Sequence, residues 1–212
     1  AWAWRLTMSD EIHPNMDGHK LMAQELCRAI TGQQVSLADV GPPAPVMAKT
    51  LALLKQSKPV RVLAMPPFDM LISPALKQLH PAATIEVTAW PTDGKSLAEL
   101  ERDANQKVRA MKPDLVLLAV PRAASADPDE DFVKSYTWIM NWSLSFGHQE
   151  WDCVAIHPSV AFPGPAAPRD DLVRRLVKAQ HLDLIDRNPN DHESAEAVFG
   201  RWLVLMAKPH SN

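Results

Sequence analysis

The residues whose types and spacing best suit chemistry stand near the start of this 212-residue chain: Asp10-Glu11-Ile12-His13-Pro14-Asn15, then Gly18-His19. A carboxylate three residues ahead of a histidine can fold back within one loop turn. It then accepts a hydrogen bond from one imidazole nitrogen and leaves the other as a base. The same string also reads as an ordinary polar loop that caps a helix, with Asn15 or Asp17 as N-cap. A second group follows from the strand–helix rhythm described next: Asp69, Arg122, His157 and Asp186 each stand at or shortly after the end of a strand. In an open parallel sheet those positions share the carboxyl rim, where ligands bind. They read either as a catalytic or ligand-binding set or as a solvated rim with a salt bridge, Arg122 to Asp186. Ser125 and Ser159, the rim serines apart from Ser96, lack the sharp Gly-x-Ser-x-Gly setting of a nucleophile. Asp69 lacks the acidic pair and lysine of a phosphoacceptor. His148, His181, His192 and His210 form no HxH or HExxH pair, so no metal site is expected.

The elements that would position these residues begin at Pro59. Val60–Met65, Thr84–Ala89, Asp114–Val120, Asp152–His157 and Leu182–Asp186 read as five strands, the third apolar enough to be central and buried on both faces. Between and after them, helical spacing runs over Asp69–His80, Ser96–Met111, Asp129–Phe146, Asp170–Gln180 and Glu193–Ala207. Ser96 with Glu99 forms a capping box, Gly147 is a plausible stop, and Pro74 is expected near a first turn or at a restart. Tyr136, Trp138, Trp142, Phe146 and Trp151 read as packing against the sheet rather than as a sugar-stacking platform. Five strands alternating with helices imply an α/β fold: a three-layer α/β/α arrangement on a five-stranded parallel sheet with right-handed crossovers, preceded by a helical N-terminal segment. In that segment Asp17–Ile30 is a helix with Leu21, Met22, Leu26, Ala29 and Ile30 on its apolar side, ended by Gly32. Gly41–Pro45 (GPPAP) is a stiff linker, and Met47–Lys55 a short helix. The chain thus divides into residues 1–40, a linker and short helix at 41–58, and an α/β unit at 59–212.

The string DEIHPNMDGHKLMAQEL, residues 10–26, resembles the terminal block of the SGNH (GDSL-type) ester hydrolases, D-x-x-H-P-N-x-x-G-H-x-x-[ML]-A. The resemblance implies a Ser-His-Asp acyl-transfer site with His13 as general base and Asp10 orienting it. In that family the block closes the domain, whereas here it opens the chain, so residues 1–40 are expected to be the tail of an upstream hydrolase unit. The serine nucleophile is then expected in an upstream segment of the same parent protein, and the first residue, Ala1 rather than Met, points to a processed or excised chain.

Residues 59–212 resemble the same SGNH or flavodoxin-like architecture, but with eroded motifs. Met65-Pro66-Pro67-Phe68-Asp69 has no serine where the family carries Gly-Asp-Ser. Gly94, in Trp90-Pro91-Thr92-Asp93-Gly94, matches the oxyanion-hole glycine. Val120-Pro121-Arg122-Ala123-Ala124 loses the asparagine block, and Asn188 stands where Leu184-Ile185-Asp186-Arg187-Asn188-Pro189-Asn190 should carry histidine. The implied activity is carboxylic-ester hydrolysis of a small-molecule or carbohydrate ester, with no cofactor. The isolated chain is expected to lack the nucleophile. The alternative is a non-catalytic pseudo-hydrolase domain that binds or scaffolds through the rim pocket, with Asp69, Gly94, Arg122, His157, Asp186 and Asn188 as its binding residues.

Composition agrees with a folded chain: 46% hydrophobic and 22% charged residues are enough for a core. A net charge of −3 argues against a nucleic-acid partner. No apolar run approaches the ~20 residues that cross a bilayer, so the chain reads as soluble. Seven Gly against 19 Pro, with no GxGxxG, excludes a glycine-rich phosphate cradle. Cys27 and Cys153 are too few for a disulfide framework or a thiolate zinc site and read as small buried apolar residues, which leaves the compartment open.

Overall fold

A computed structural model describes residues 3–41, 46–145, 150–188 and 191–208. A 3-10 turn, Ala3–Thr7, leads through a loop to α1 (Met16–Thr31), and α2 (Ala48–Lys55) precedes the sheet. Then come β1 (Val60–Ala64), α3 (Phe68–Leu79), β2 (Ile85–Ala89), α4 (Leu97–Met111), β3 (Leu115–Leu118) and α5 (Asp129–Ser143). The chain closes with β4 (Asp152–Ile156), α6 (Pro158–Ala161), α7 (Asp170–Ala179), β5 (Asp183–Ile185) and α8 (Ala195–Met206). The five strands are all parallel in the order β2-β1-β3-β4-β5, so the strand order reverses between β1 and β3.

Physical causes for this arrangement lie in the chain itself. Leu115–Leu118 are all buried and occupy the centre, where a parallel strand is covered on both faces. The more polar Ile85–Ala89 takes an edge. The Ser96 hydroxyl accepts from the Glu99 backbone while the Glu99 carboxylate accepts from Ser96, so α4 starts on the expected capping box. α4 packs on α5 and α5 on α7, while α3 packs on α8, which gives two helical layers around the sheet. Pro74 lies well inside α3, not in its first turn. Both Pro74 and Met70, whose carbonyl the proline cannot reach with an N–H, are exposed, so water can take the orphaned carbonyl. α5 ends at Ser143, short of the expected stop at Gly147. That glycine, Phe146, Pro42–Pro45, His148, Pro189, Asn190 and His210 lie outside the described residues.

α2 lies against β1 and β4, where Asp152 accepts from the Thr50 backbone at 2.7 Å and its hydroxyl at 2.6 Å. The N-terminal turn rests on α5 and α7, and α1 on α7. Of the aromatic residues on and after α5, Tyr136 and Trp151 are buried, while Trp138 and Trp142 stack at 5.4 Å and stay half-buried. Cys27 and Cys153 are both half-buried rather than fully enclosed. Among the described residues no helix is long and apolar enough to cross a membrane.

Candidate functional site

Two separate stations emerge. The first is built by the loop between the N-terminal turn and α1. Met8 and Pro14 form an isolated antiparallel bridge, and Ser9 N–H donates to the His13 carbonyl at 2.8 Å, which closes the loop. Inside it Asp10 Oδ1 accepts the backbone N–H groups of Ile12 (2.8 Å) and His13 (2.7 Å), while Oδ2 lies 2.7 Å from His13 Nδ1. Both oxygens are therefore committed to positioning. Burial pushes the Asp10 carboxyl up, but the bond from the His13 ring and the two backbone bonds outweigh it and hold the group below the usual carboxylate range. The Asp10 side chain is 9% exposed and that of His13 69%, so the ring stands in solvent on an anchored carboxylate.

The rest of the string holds this loop in place. Asn15, buried, is the N-cap of α1: its side-chain oxygen accepts from Gly18 N–H, and its amide donates to the Leu6 carbonyl at 2.8 Å. Gly18 lets the helix approach the N-terminal turn, since a Cβ there would lie 2.2 Å from the Thr7 carbonyl oxygen. The capping reading and the catalytic reading thus fall on different residues of one string. Asn15 caps, and Asp10 holds the exposed His13 ring. Hydroxyls nearby are engaged elsewhere: Ser9 Oγ is buried against the Gln180 amide (2.9 and 3.2 Å), and Thr7 Oγ1 donates to the Trp4 carbonyl. Among the described residues, none brings a serine hydroxyl to His13 within hydrogen-bond reach. The dyad lies over the middle of α5, where Glu11 meets Lys134 at 3.6 Å and Trp138 Nε1 at 3.5 Å.

The second station is the carboxyl rim. A cleft of 680 Å³ is lined by Val120, Pro121, Arg122, Phe132, Arg169 and Asp170, among others. A second, of 750 Å³, shares Pro121, Arg122 and Ser125 and adds Pro66, Thr92 and Gly94; it sits where the strand order reverses. Arg122 holds Asp170 in a bidentate pair (3.2 and 2.8 Å) and donates to the Phe162 carbonyl at 2.8 Å. Its partner is therefore Asp170, not the expected Asp186, which instead pairs with Arg174 at 2.7 Å. Burial raises the Asp170 carboxyl, but Arg122 and the Ala167 N–H outweigh it and hold the group below its usual range. Arg169 reaches Asp127, Asp129 and Ser125 and lies over the Phe132 ring at 4.9 Å, tying the β3–α5 loop to the start of α7.

Of the six expected rim residues, Arg122 and Gly94 line these clefts, and Gly94 has φ +67°, a conformation that favours glycine. His157 is fully buried; its Nε2–H donates to the Asp170 carbonyl at 3.0 Å, and its Nδ1 accepts from Ser159 N–H at 3.2 Å. Asp186, another of the expected rim residues, lies 3.3 Å from that Nδ1, and burial, with Arg174 adding to it, lowers the ring's pKa against the opposing Asp170 carbonyl and Asp186. Ser159 Oγ lies 2.7 Å from that Nδ1, and the first cleft is lined by Pro158 rather than by either residue. Asp69 keeps one buried oxygen without a partner, and Asn188 is exposed, its carbonyl accepting from Asp191. Asp170 and Arg169 went unnoticed in the sequence, where they follow a proline-rich loop with no spacing signal. Among the described residues no group of three or more His, Cys, Asp or Glu side chains is placed to hold a metal.

No family model, curated protein or solved structure matches the chain.

Proposed function

We propose that this chain contributes the general base of a serine ester hydrolase of SGNH type. His13 is the base, Asp10 orients it, and the serine is supplied by a unit outside these 212 residues. The observation that carries the proposal is the 2.7 Å contact of His13 Nδ1 with an Asp10 carboxylate whose other oxygen is clamped by two backbone N–H groups. That clamp fixes the tautomer: Nδ1 carries the proton toward Asp10 and Nε2 keeps its lone pair. A serine hydroxyl brought to Nε2 would lose its proton as its oxygen attacks the ester carbonyl. The resulting imidazolium, steadied by Asp10, would then protonate the departing alkoxide. Water would repeat the cycle on the acyl-serine and release the acid.

Fluorophosphonate labelling tests this. Residues 1–212 alone should yield no labelled serine. The complete gene product should be labelled on one serine, with His13→Ala slowing labelling by about 10³-fold or more. A labelled serine within the chain, or labelling indifferent to His13, refutes the proposal.

A second reading has its own support in the two clefts that meet at Arg122. Volumes of this size suit a small organic ligand, and the clefts offer ion-paired Arg and Asp groups, while the Ser159–His157 contact lies outside both linings. In that reading the rim binds a small ester or sugar ester without turning it over. Peracetylated glucose should shift the backbone NMR signals of Arg122, Ser125 and Gly94; unchanged signals at millimolar concentration overturn it.

A further inference from the structure

We infer that the cleft between α5 and α7 binds a small aromatic monocarboxylate with a hydrogen-bond acceptor opposite its acid, held between the unpartnered Tyr136 hydroxyl and the unpaired Arg175 guanidinium. The inference does not use His13. It also goes beyond the ester reading of the two clefts, since it gives the first of them a charged ligand of its own.

Asp129, Phe132 and Tyr136, at i, i+3 and i+7 of α5, form one wall of this cleft. Leu172 and Arg175, at i and i+3 of α7, form another, and Val120 after β3 closes the base. Burial grades the space from floor to mouth. Tyr136 is 2% exposed and Phe132 6%, their rings stacked at 5.6 Å, whereas Arg175 is exposed.

A buried tyrosine hydroxyl ordinarily finds a partner. That of Tyr136 has none among the described residues. Unlike the hydroxyl of Thr137, it is not sealed from solvent, so it opens into the cleft that Tyr136 lines. Burial pushes the phenol's pKa up, which keeps the hydroxyl protonated and makes it a donor.

Charge sets the sign and valence of the ligand. Arg122 is committed to Asp170, Arg169 to Asp127 and Asp129, and Asp171 is held by Arg174 at 2.8 Å. Arg175 makes no ion pair or hydrogen bond among the described residues. One uncommitted guanidinium among carboxylates suits a single negative charge, and its fork matches a carboxylate. A phosphate dianion would meet repulsion from Asp129 and Asp171. The acid belongs at the exposed mouth, because a carboxylate on the floor would lose its water for one hydroxyl donor. Phe132 and Leu172 then enclose an apolar ring, and the 680 Å³ of the cleft leaves room for it.

The test is an NMR titration of the whole 212-residue chain at neutral pH with para-hydroxyphenylpropionate. Saturable binding is expected, with the methyl ester and with phenylpropionate each about 5-fold weaker. Tyr136→Phe should weaken the hydroxy acid about 5-fold and leave phenylpropionate unchanged. Arg175→Gln should weaken both acids and leave the methyl ester unchanged. The first variant removes only an unpartnered hydroxyl and the second alters an exposed side chain, so thermal unfolding should stay as it was. Four results overturn the inference: no saturation at millimolar acid, ester binding as tight as acid, binding that ignores both substitutions, or displacement of the acid by equimolar inorganic phosphate. The ester reading fails separately. Acid binding that needs Tyr136, with no response to peracetylated glucose, removes that reading alone, and the converse removes this one alone.

Discussion

Replacing Gly18 by alanine sets two physical effects against each other with opposite signs. By helix propensity the change should stabilise α1 by up to about 1 kcal/mol. The tertiary geometry says otherwise. The new Cβ would lie 2.2 Å from the Thr7 carbonyl oxygen and 2.9 Å from Pro14 Cβ, where real contacts do not fall below 3.0 Å. The helix start and the N-terminal turn must therefore part by about 0.8 Å. Neither neighbour is the free end of a long side chain. The Asn15 N–H bond to the Thr7 carbonyl, now 3.0 Å, then stretches past hydrogen-bond range. The Asn15 amide bond to Leu6 follows, and with it the rigidity of the cap. Two weakened hydrogen bonds at about 1 kcal/mol each, with overpacking of about 1–3 kcal/mol, exceed the propensity gain. A net loss of about 2–4 kcal/mol is expected, confined to the N-terminal segment. Native-state hydrogen exchange reads it: the amides of Ser9, Asn15 and Gly18 should exchange at least about 30-fold faster, while those of β3 stay as they were. Slower exchange at those amides, or an unchanged rate, would mean that Gly18 sits there for reasons other than close approach.

Asp183 gives a pH-dependent counterpart. Burial first, then the nearby Asp152 charge, raises its pKa from 3.8 to about 6. A raised folded pKa favours the protonated form, so its contribution is present below pH 3.8 and lost as pH rises through about 6. Asp183→Asn should therefore stabilise the protein at pH 7.5 by about 1–2 kcal/mol, discounted from a ceiling near 3 for partial exposure. Urea unfolding at pH 7.5 and pH 3.5 checks the sign, and an equal gain at both values contradicts it. Asp170→Asn breaks the part-buried bidentate pair with Arg122 and should cost about 3 kcal/mol, with the β3–α5 loop keeping only its Arg169 tie to α7. Since the Asp170 pKa is held below 3.8, that difference should be full at neutral pH and fade as pH falls through its folded value. A pH-independent difference in denaturant midpoint would refute the assignment.

Much of the fold was legible because its causes are local. The capping box at Ser96 and Glu99, the apolar run at Leu115–Leu118 and the Asp10–His13 loop each lie within a few residues of sequence. Chain entropy alone keeps such partners close. The rim was only half legible. Strand ends placed Arg122 and Gly94 at the rim, where both line clefts, but did not say which carboxylate Arg122 would meet. Asp170 and Asp186 both follow β4 in the chain, and only the course of the proline-rich loop decides which lies within reach.

Amphipathicity shows the division most clearly. By itself the sequence determines that α1 has an apolar stripe, that a parallel sheet must form behind it, and that His13 can be oriented by Asp10. Which side of α1 faces the protein is a different matter, because a stripe states only that apolar surface gains by burial, not against what. Tertiary structure turns Asp17, Lys20 and Gln24 inward through specific partners on His181, Ala38 and Leu37, and leaves Met22, Leu26 and Ile30 outward. A pattern fixes a helix and its two faces; only the packed neighbours decide which face is used.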